Sequence, residues 1–192
     1  QVEGTAEEAV INVIAIRTMA KAIYSNNNIG HYGLGFTNYT HFTSPIRRFP
    51  DLLVHLQTYY YLENNYNPLY SSDELKEICE HCSLKEKNAI FAERLSVKLK
   101  QIEFLKDKLG NDFEGIISGV TNFGLFVEVR ENFADGLVRL SDIDDDYYEY
   151  DEKNYSLIGR RTKKIFRLGD RVTVKLIRVD EEKREIDFLI VD

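Results

Sequence analysis

Phe113-Glu-Gly-Ile-Ile-Ser-Gly-Val-Thr-Asn-Phe-Gly-Leu-Phe-Val127 is the stretch on which the fold turns. Apolar residues alternate from Phe113 to Val120, a turn falls at Asn122, and the alternation resumes from Leu125 to Val129. A period of two on either side of a glycine-containing break predicts a β-hairpin with one face buried. Downstream, Gly136 to Leu140, Arg171 to Val179 and Glu185 to Val191 repeat the pattern, with turns at Asn132, Asp135, Gly169 and Asp180 to Lys183. Five short strands in about 80 residues suit a small closed barrel of the OB type.

Upstream of Gly110 the punctuation is helical. Thr5 with Glu8 forms a capping-box pattern, and Val10, Val13, Ile14, Met19, Ala20 and Ile23 recur at helical spacing as far as Tyr24. Residues 25–43 are rich in Asn, Gly and Thr and predict a loop or short irregular strands. Ser44-Pro45 then predicts the opening of a helix through Leu52, Leu53 and Leu56 to Tyr59–Tyr61. Pro50 either kinks that helix or marks where its regular part begins. Ser71 with Glu74 and Ser83 with Glu86 predict two further successive helices, the second ending at Gly110. The expected fold class is therefore α+β, with a helical part over residues 1–110 and a five-stranded barrel over residues 111–192.

Composition narrows the function classes. The chain has 192 residues and a net charge of −7, so binding to nucleic acid would need a local basic face rather than bulk charge. No run of ~18 apolar residues is present, so no membrane-spanning helix is expected. Cys79 and Cys82 are too few for a disulfide scaffold, which predicts a reducing, cytoplasmic setting. The chain opens on Gln1 rather than Met, and a longer parent upstream is expected.

Chemistry concentrates at Tyr39-Thr-His-Phe-Thr-Ser-Pro-Ile-Arg-Arg-Phe-Pro-Asp51. Arg47 and Arg48 would lie in the first turn of the helix opened at Ser44. There the free amides, the positive dipole end and two guanidinium forks together suit an anion, above all a phosphate. The alternative is that Arg47 or Arg48 simply pairs with Asp51 at helical spacing. His41 and His55 lie beside the arginines as phosphate contacts or as satisfied structural histidines. In the second half, Phe123 and Phe126 flank Gly124, where an outward ring can stack a base for ~1 to 3 kcal/mol; the alternative is that both rings fill the core. Seven acids from Asp142 to Glu152 precede seven bases, Arg160, Arg161, Lys163, Lys164, Arg167, Arg171 and Lys175, against Asp170 alone. This is the local basic face, and binding through it should weaken as salt rises.

Three other patterns read as structural. Cys79-Glu-His-Cys82 has the spacing of half a zinc site without a second pair, so zinc is not expected. Asp142, Asp144 and Asp146 mimic a calcium loop, but Tyr147 and Lys153 stand where Gly and Glu are required, which leaves a solvated acidic stretch. Of Tyr59, Tyr60 and Tyr61, consecutive on a helix, at least one is expected in the core.

His31-Tyr-Gly-Leu-Gly-Phe36, followed by Tyr39 to Asp51 and His55, strongly resembles the signature of the RNB exoribonucleases, the RNase II and RNase R family. Arg17-Thr-Met-Ala-Lys-Ala22 with Tyr24, and Ala92-Glu-Arg94 with Lys100-Gln101, resemble the helices around that signature. Phe113 to Val127 is similar to the opening of the RNA-binding module named after ribosomal protein S-one. Phe49 stands where Tyr is more common, and Leu56 where Arg is usual.

The resemblance implies hydrolysis of single-stranded and structured RNA from the 3′ end, releasing nucleoside 5′-monophosphates. It implies Mg²⁺ held by clustered aspartates. No such cluster stands before Gly110, so the chain is expected to be the carboxy-terminal piece of the enzyme, with the metal ligands upstream. It further implies that Arg47, with Arg48 second, contacts the scissile or adjacent phosphate, that Glu93 lies near the channel, and that Tyr39 and His41 touch RNA. On the barrel it implies exposure of Phe123 and Phe126, with Arg139 where that module often has His; Arg160, Arg161 and Lys163 are expected to contact RNA as part of the local basic face. A non-catalytic RNA-binding protein keeping the RNB scaffold is the alternative, and a generic OB-type binding barrel is third.

Overall fold

The computed structural model describes residues 11–191 apart from 13, 14 and 17, and these divide into two compact units. One comprises residues 20–93; the other is built on residues 94–191, with the segment up to Met19 grouped with it. The opening of the helix expected from Thr5 lies outside the described residues. Residues 11, 12, 15, 16 and 18 are helical, and the stretch from Ala20 to Tyr24 is not, so that helix is shorter than the periodicity suggested.

In the first unit, residues 20–48 are irregular apart from a 3-10 turn at Tyr32–Leu34, closed by a bridge between His31 and Phe36. Gly35 ends that turn at φ 68, a left-handed conformation that glycine takes without strain. Helix α1 runs over Phe49–Glu63, with Arg48 as N-cap and Pro50 in its first turn. Pro50 thus marks the start of the regular helix. The expected opening at Ser44 is corrected: residues 45–47 form a turn, because the Ser44 amide bonds to the Asp51 carboxylate at 2.7 Å instead of Ser44 capping a helix.

Helix α2 is a single element, Ser72–Lys106, where two were expected. The Ser71–Glu74 box is real, with the Ser71 amide and hydroxyl both bonded to Glu74 at 2.8 Å. Ser83, however, donates its hydroxyl back to the Cys79 carbonyl at 2.9 Å and accepts from the Tyr24 amide, so it lies mid-helix and caps nothing.

The second unit holds the barrel. Strands β1 (Asp112–Thr121), β2 (Gly124–Val129), β3 (Asp135–Arg139), β7 (Arg171–Asp180) and β8 (Glu185–Val191) close in the order β1-β2-β3-β8-β7. All pairs are antiparallel except β3 with β8. These are the five segments expected from the alternation. Leu125, Val127, Val129, Val138, Val174, Leu176 and Phe188 are fully buried inside, and Ile102 and Leu105 from the last turns of α2 join the same core. Between β3 and β7 the chain forms a second sheet, β4 (Tyr148–Asp151), β5 (Ser156–Gly159) and β6 (Ile165–Arg167), in the order β4-β5-β6. That sheet occupies the stretch expected to be a solvated acidic segment and a basic run.

Candidate nucleic-acid interface

On the barrel wall, strand alternation decides what faces out. Leu125, Val127 and Val129 point inward on β2, which leaves Phe126 outward and half-buried. Phe123, at the turn before β2, is 54% exposed, and its ring meets that of Phe126 edge to face at 6.0 Å. The turn is fixed from both sides: the Leu140 amide bonds to the Phe123 carbonyl at 2.9 Å, and the Thr121 hydroxyl bonds to the Gly124 carbonyl at 2.8 Å. A side chain at Gly124 would run into the Val138 carbonyl oxygen, so only glycine lets the hairpin fold this tightly against β3. Arg139, opposite Gly124 on β3, also faces outward. Phe123, Phe126 and Arg139 thus share one wall.

The basic stretch does not make one continuous face. Arg160 pairs with Glu149 at 2.6 Å, Lys164 with Asp145 at 3.4 Å, and Lys175 with Asp112 at 3.6 Å. The Arg161 guanidinium donates to the Asp145 carbonyl at 3.1 Å. The antiparallel β4–β5 pairing folds the acidic stretch back toward the basic one, so Arg160 and Lys164 meet acids of that stretch, while Lys175 pairs with an acid of β1. Lys163, Arg167 and Arg171 have no side-chain partner among the described residues.

Asp146 is a hub rather than a solvated acid. Its Oδ2 accepts from the Thr162 amide at 2.6 Å, the Thr162 hydroxyl at 2.8 Å and the Arg161 amide at 2.7 Å, while Oδ1 accepts from the Tyr147 amide at 2.7 Å. These bonds, led by the one from Thr162, hold its carboxyl down at about 2, against an ordinary value of 3.8. A depressed carboxylate stabilises the fold fully above its ordinary value and loses that contribution as pH falls through the depressed one. The denaturant midpoint of the barrel unit is therefore expected to drop between pH 3.8 and about 2, and Asp146→Asn to flatten that slope. An unchanged slope in the variant would refute the assignment.

In the residue 20–93 unit, Asp51 is fully buried and organises the signature. Its Oδ2 takes both the Ser44 amide and the Arg48 guanidinium, the latter at 2.9 Å. Burial alone would raise this carboxyl, but the Ser44 amide and Arg48 outweigh it and hold Asp51 below its ordinary range. Arg48 therefore takes the pairing alternative. Asp51 Oδ1 and Arg48 Nε are buried without a hydrogen-bond partner. Arg47, one residue earlier, is exposed, and its side chain has no partner among the described residues. Neither arginine lies inside the first helical turn as expected: Arg47 belongs to the preceding turn and Arg48 is the N-cap.

Around them, His41 bonds through Nδ1 to the Tyr24 hydroxyl at 3.1 Å, and His55 Nε2 bonds to the Phe42 carbonyl at 2.8 Å with its ring stacked on Phe42. Tyr39 packs edge-on to His31 and His41, and lies nearly parallel to Phe36 at 6.1 Å, both rings remaining about half exposed. Phe36 escaped the sequence reading as a partner of Tyr39, because the two meet only through the His31–Phe36 turn. Glu93 is an exposed residue of α2. Burial pushes the Cys79 and Cys82 thiols up.

Among the described residues no three His, Cys, Asp or Glu side chains converge as metal ligands. No helix among them is long and apolar enough to cross a membrane.

Comparison with known proteins gives the class first. Residues 1–64 match the RNB domain and residues 106–190 match the S1 RNA binding domain, so an RNB portion precedes an S1 module in this chain. Its relatives include ribonuclease R 1 of Lactococcus lactis, 43% identical over 98% of the chain, and ribonuclease R of Thermotoga maritima, 45% identical over 93%. The chain spans 23% and 26% of those proteins, about a quarter of their length. The apo form of Mycoplasma genitalium RNase R superposes with a TM-score of 0.87 at 30% identity, over 99% of this chain and 30% of that one. The same Mycoplasma enzyme is known in complex with ribose-methylated single-stranded RNA, where the TM-score is again 0.87.

Proposed function

We propose that this chain acts within a longer, processive 3′-to-5′ exoribonuclease that hydrolyses RNA to nucleoside 5′-monophosphates. The observation that carries this reading is the posture of Arg47. Asp51 bonds both the Ser44 amide and the Arg48 guanidinium, and the turn they fix leaves the Arg47 fork exposed and without a partner among the described residues. In that role Arg47 binds the scissile or adjacent phosphate and offsets the charge that develops on it. Arg48 holds the turn, and Tyr39 and His41 line its approach. Mg²⁺ would be held by aspartates outside the described residues, and its chemistry would be the activation of water. The S1 barrel feeds single-stranded RNA through Phe123, Phe126 and Arg139, with Arg160, Arg161 and Lys163 in the turn between β5 and β6.

A second reading is an RNA binder that keeps the RNB scaffold without cutting, and a lack of converging ligands among the described residues is expected of both. Incubating the chain with 5′-labelled single-stranded RNA and Mg²⁺ separates the possibilities. Intact but bound RNA is the expected result for a grip whose metal ligands lie elsewhere. The same assay on the longer protein then decides between enzyme and binder by the presence or absence of a single-nucleotide ladder. In the binding arm, Phe123→Ala is expected to weaken affinity about tenfold, the loss of one stacked base. An unchanged Kd would remove Phe123 from the interface.

A further inference from the structure

Asp187 is an acid in the wrong place for an RNA-binding wall. Its neighbours Ile186 and Phe188 point into the core, so Asp187 faces outward from β8, yet it is only 4% exposed. Register places it in a row across the wall. Phe126 pairs with Leu137, Leu137 with Asp187, and Asp187 with Arg178. Arg139 is the diagonal neighbour of Phe126 in the same wall, within reach of a long side chain. A lone carboxylate there would repel phosphate.

It is not alone. Arg139 Nη2 reaches Asp187 Oδ1 at 3.4 Å and Oδ2 at 3.2 Å, and Arg178 Nη1 reaches the same Oδ2 at 3.4 Å. Arg178 is held a second time, through Nη2, by Asp180. Both guanidinium groups nonetheless stay open, with side chains 43% and 45% exposed. Arg139 Nε and Nη1 have no partner among the described residues. Two long cations that would otherwise lose rotamer freedom on gripping a ligand are thus ordered beforehand, side by side, next to the aromatic pair.

We propose that Asp187 is a positioning residue that holds Arg139 and Arg178 as a two-guanidinium clamp for a phosphate of the RNA strand whose base stacks on Phe123 and Phe126. The proposal rests on the reading of this wall as the RNA face. Arg178 and Asp187 then join the interface. With Asp180 and Asp187 beside the two arginines the patch is locally neutral, so the clamp recognises phosphate by the geometry of its forks rather than by bulk charge.

That distinction sets the sign of the test. Bulk charge predicts that Asp187→Asn, which removes a negative charge, tightens RNA binding, whereas the clamp predicts weakening of about five- to thirtyfold as two side chains lose their order. Arg178→Lys keeps the charge and loses the fork, so bulk charge predicts no change and the clamp predicts weaker binding. The probe is a 5′-fluorescein oligouridylate read by anisotropy against the full chain over a salt series. Both variants are expected to weaken binding, with the slope of log Kd against log salt shallower by about 0.7 for a lost phosphate contact. Asp187→Glu is expected to recover part of the affinity. A merely structural Asp187 would lower the melting temperature and leave that slope intact.

Tighter or unchanged binding in Asp187→Asn, while Phe123→Ala still weakens it, overturns the clamp and leaves the RNA face standing. If Phe123→Ala is also silent, the RNA-face reading falls and the clamp with it. Should Asp187→Asn fail to fold, Arg178→Lys at its exposed position carries the decision by itself.

Discussion

Arg47→Ala, made in the longer exoribonuclease proposed above, is expected to lower kcat by about 10²- to 10³-fold, the loss seen when one donor to developing charge is removed from a preorganised site. RNA affinity and melting temperature are expected to change little. The Arg47 side chain is exposed and has no protein partner among the described residues, so its removal leaves nothing buried and unpaired. Arg47→Lys is expected to recover only part of the rate, because an ammonium is a point charge and cannot grip phosphate through two parallel bonds. The adjacent Arg48→Ala should behave differently. It strands the fully buried Asp51 carboxylate, so its main effect is a lower melting temperature for the residue 20–93 unit. Turnover unchanged in Arg47→Ala would remove the residue from the reaction.

The second large effect is expected in the barrel. Phe188 is fully buried, and its ring occupies the space where a side chain at Gly136 would stand. Phe188→Ala is expected to cost about 3 to 5 kcal/mol, a large share of the roughly 5 to 15 kcal/mol that holds an ordinary domain folded. Gly136→Val is expected to be comparably damaging from the opposite direction, by overfilling the same space. Combining Gly136→Ala with Phe188→Leu should restore part of what either change loses, because each relieves the other. Denaturant midpoints measured on the four proteins test the coupling; strictly additive losses would show that the two positions do not share the space.

The barrel was legible because its strands bury one face. Phe113 to Val120, Leu125 to Val129 and Arg171 to Val179 carry a period of two that survives without any tertiary knowledge. The small sheet was not legible. Its strands are three or four residues long, and Tyr148–Asp151 is as acidic as a loop. It is held in part by the Asp146 side chain reaching backbone amides fifteen residues away, a bond that no hydrophobic pattern announces. Ser83 misled for a related reason. A serine followed three residues later by Glu86 has the lettering of a cap, and only the Cys79 carbonyl and the Tyr24 amide show that its hydroxyl is used otherwise. In the signature the residue types were readable and their division of labour was not. Two adjacent arginines look alike until Asp51 claims one. Arg178 and Asp187 were missed because they read as ordinary strand residues, and only the β7–β8 and β3–β8 registers bring them beside Arg139.

The parallel seam between β3 and β8 carries a consequence for the order in which the molecule comes into being. Leu137 and Asp187 meet across fifty residues of chain, and β1 must likewise find the distant β7. Pairings of that separation make folding slow, on the scale of about milliseconds to seconds. While the chain is being synthesised, β1, β2 and β3 emerge first as an open sheet with a free edge, and the wall stays incomplete until β8 arrives. The strand that seals the barrel also delivers Asp187 to its two arginines, so a nascent chain can neither close its core nor present both guanidinium groups in order until that last strand has been made.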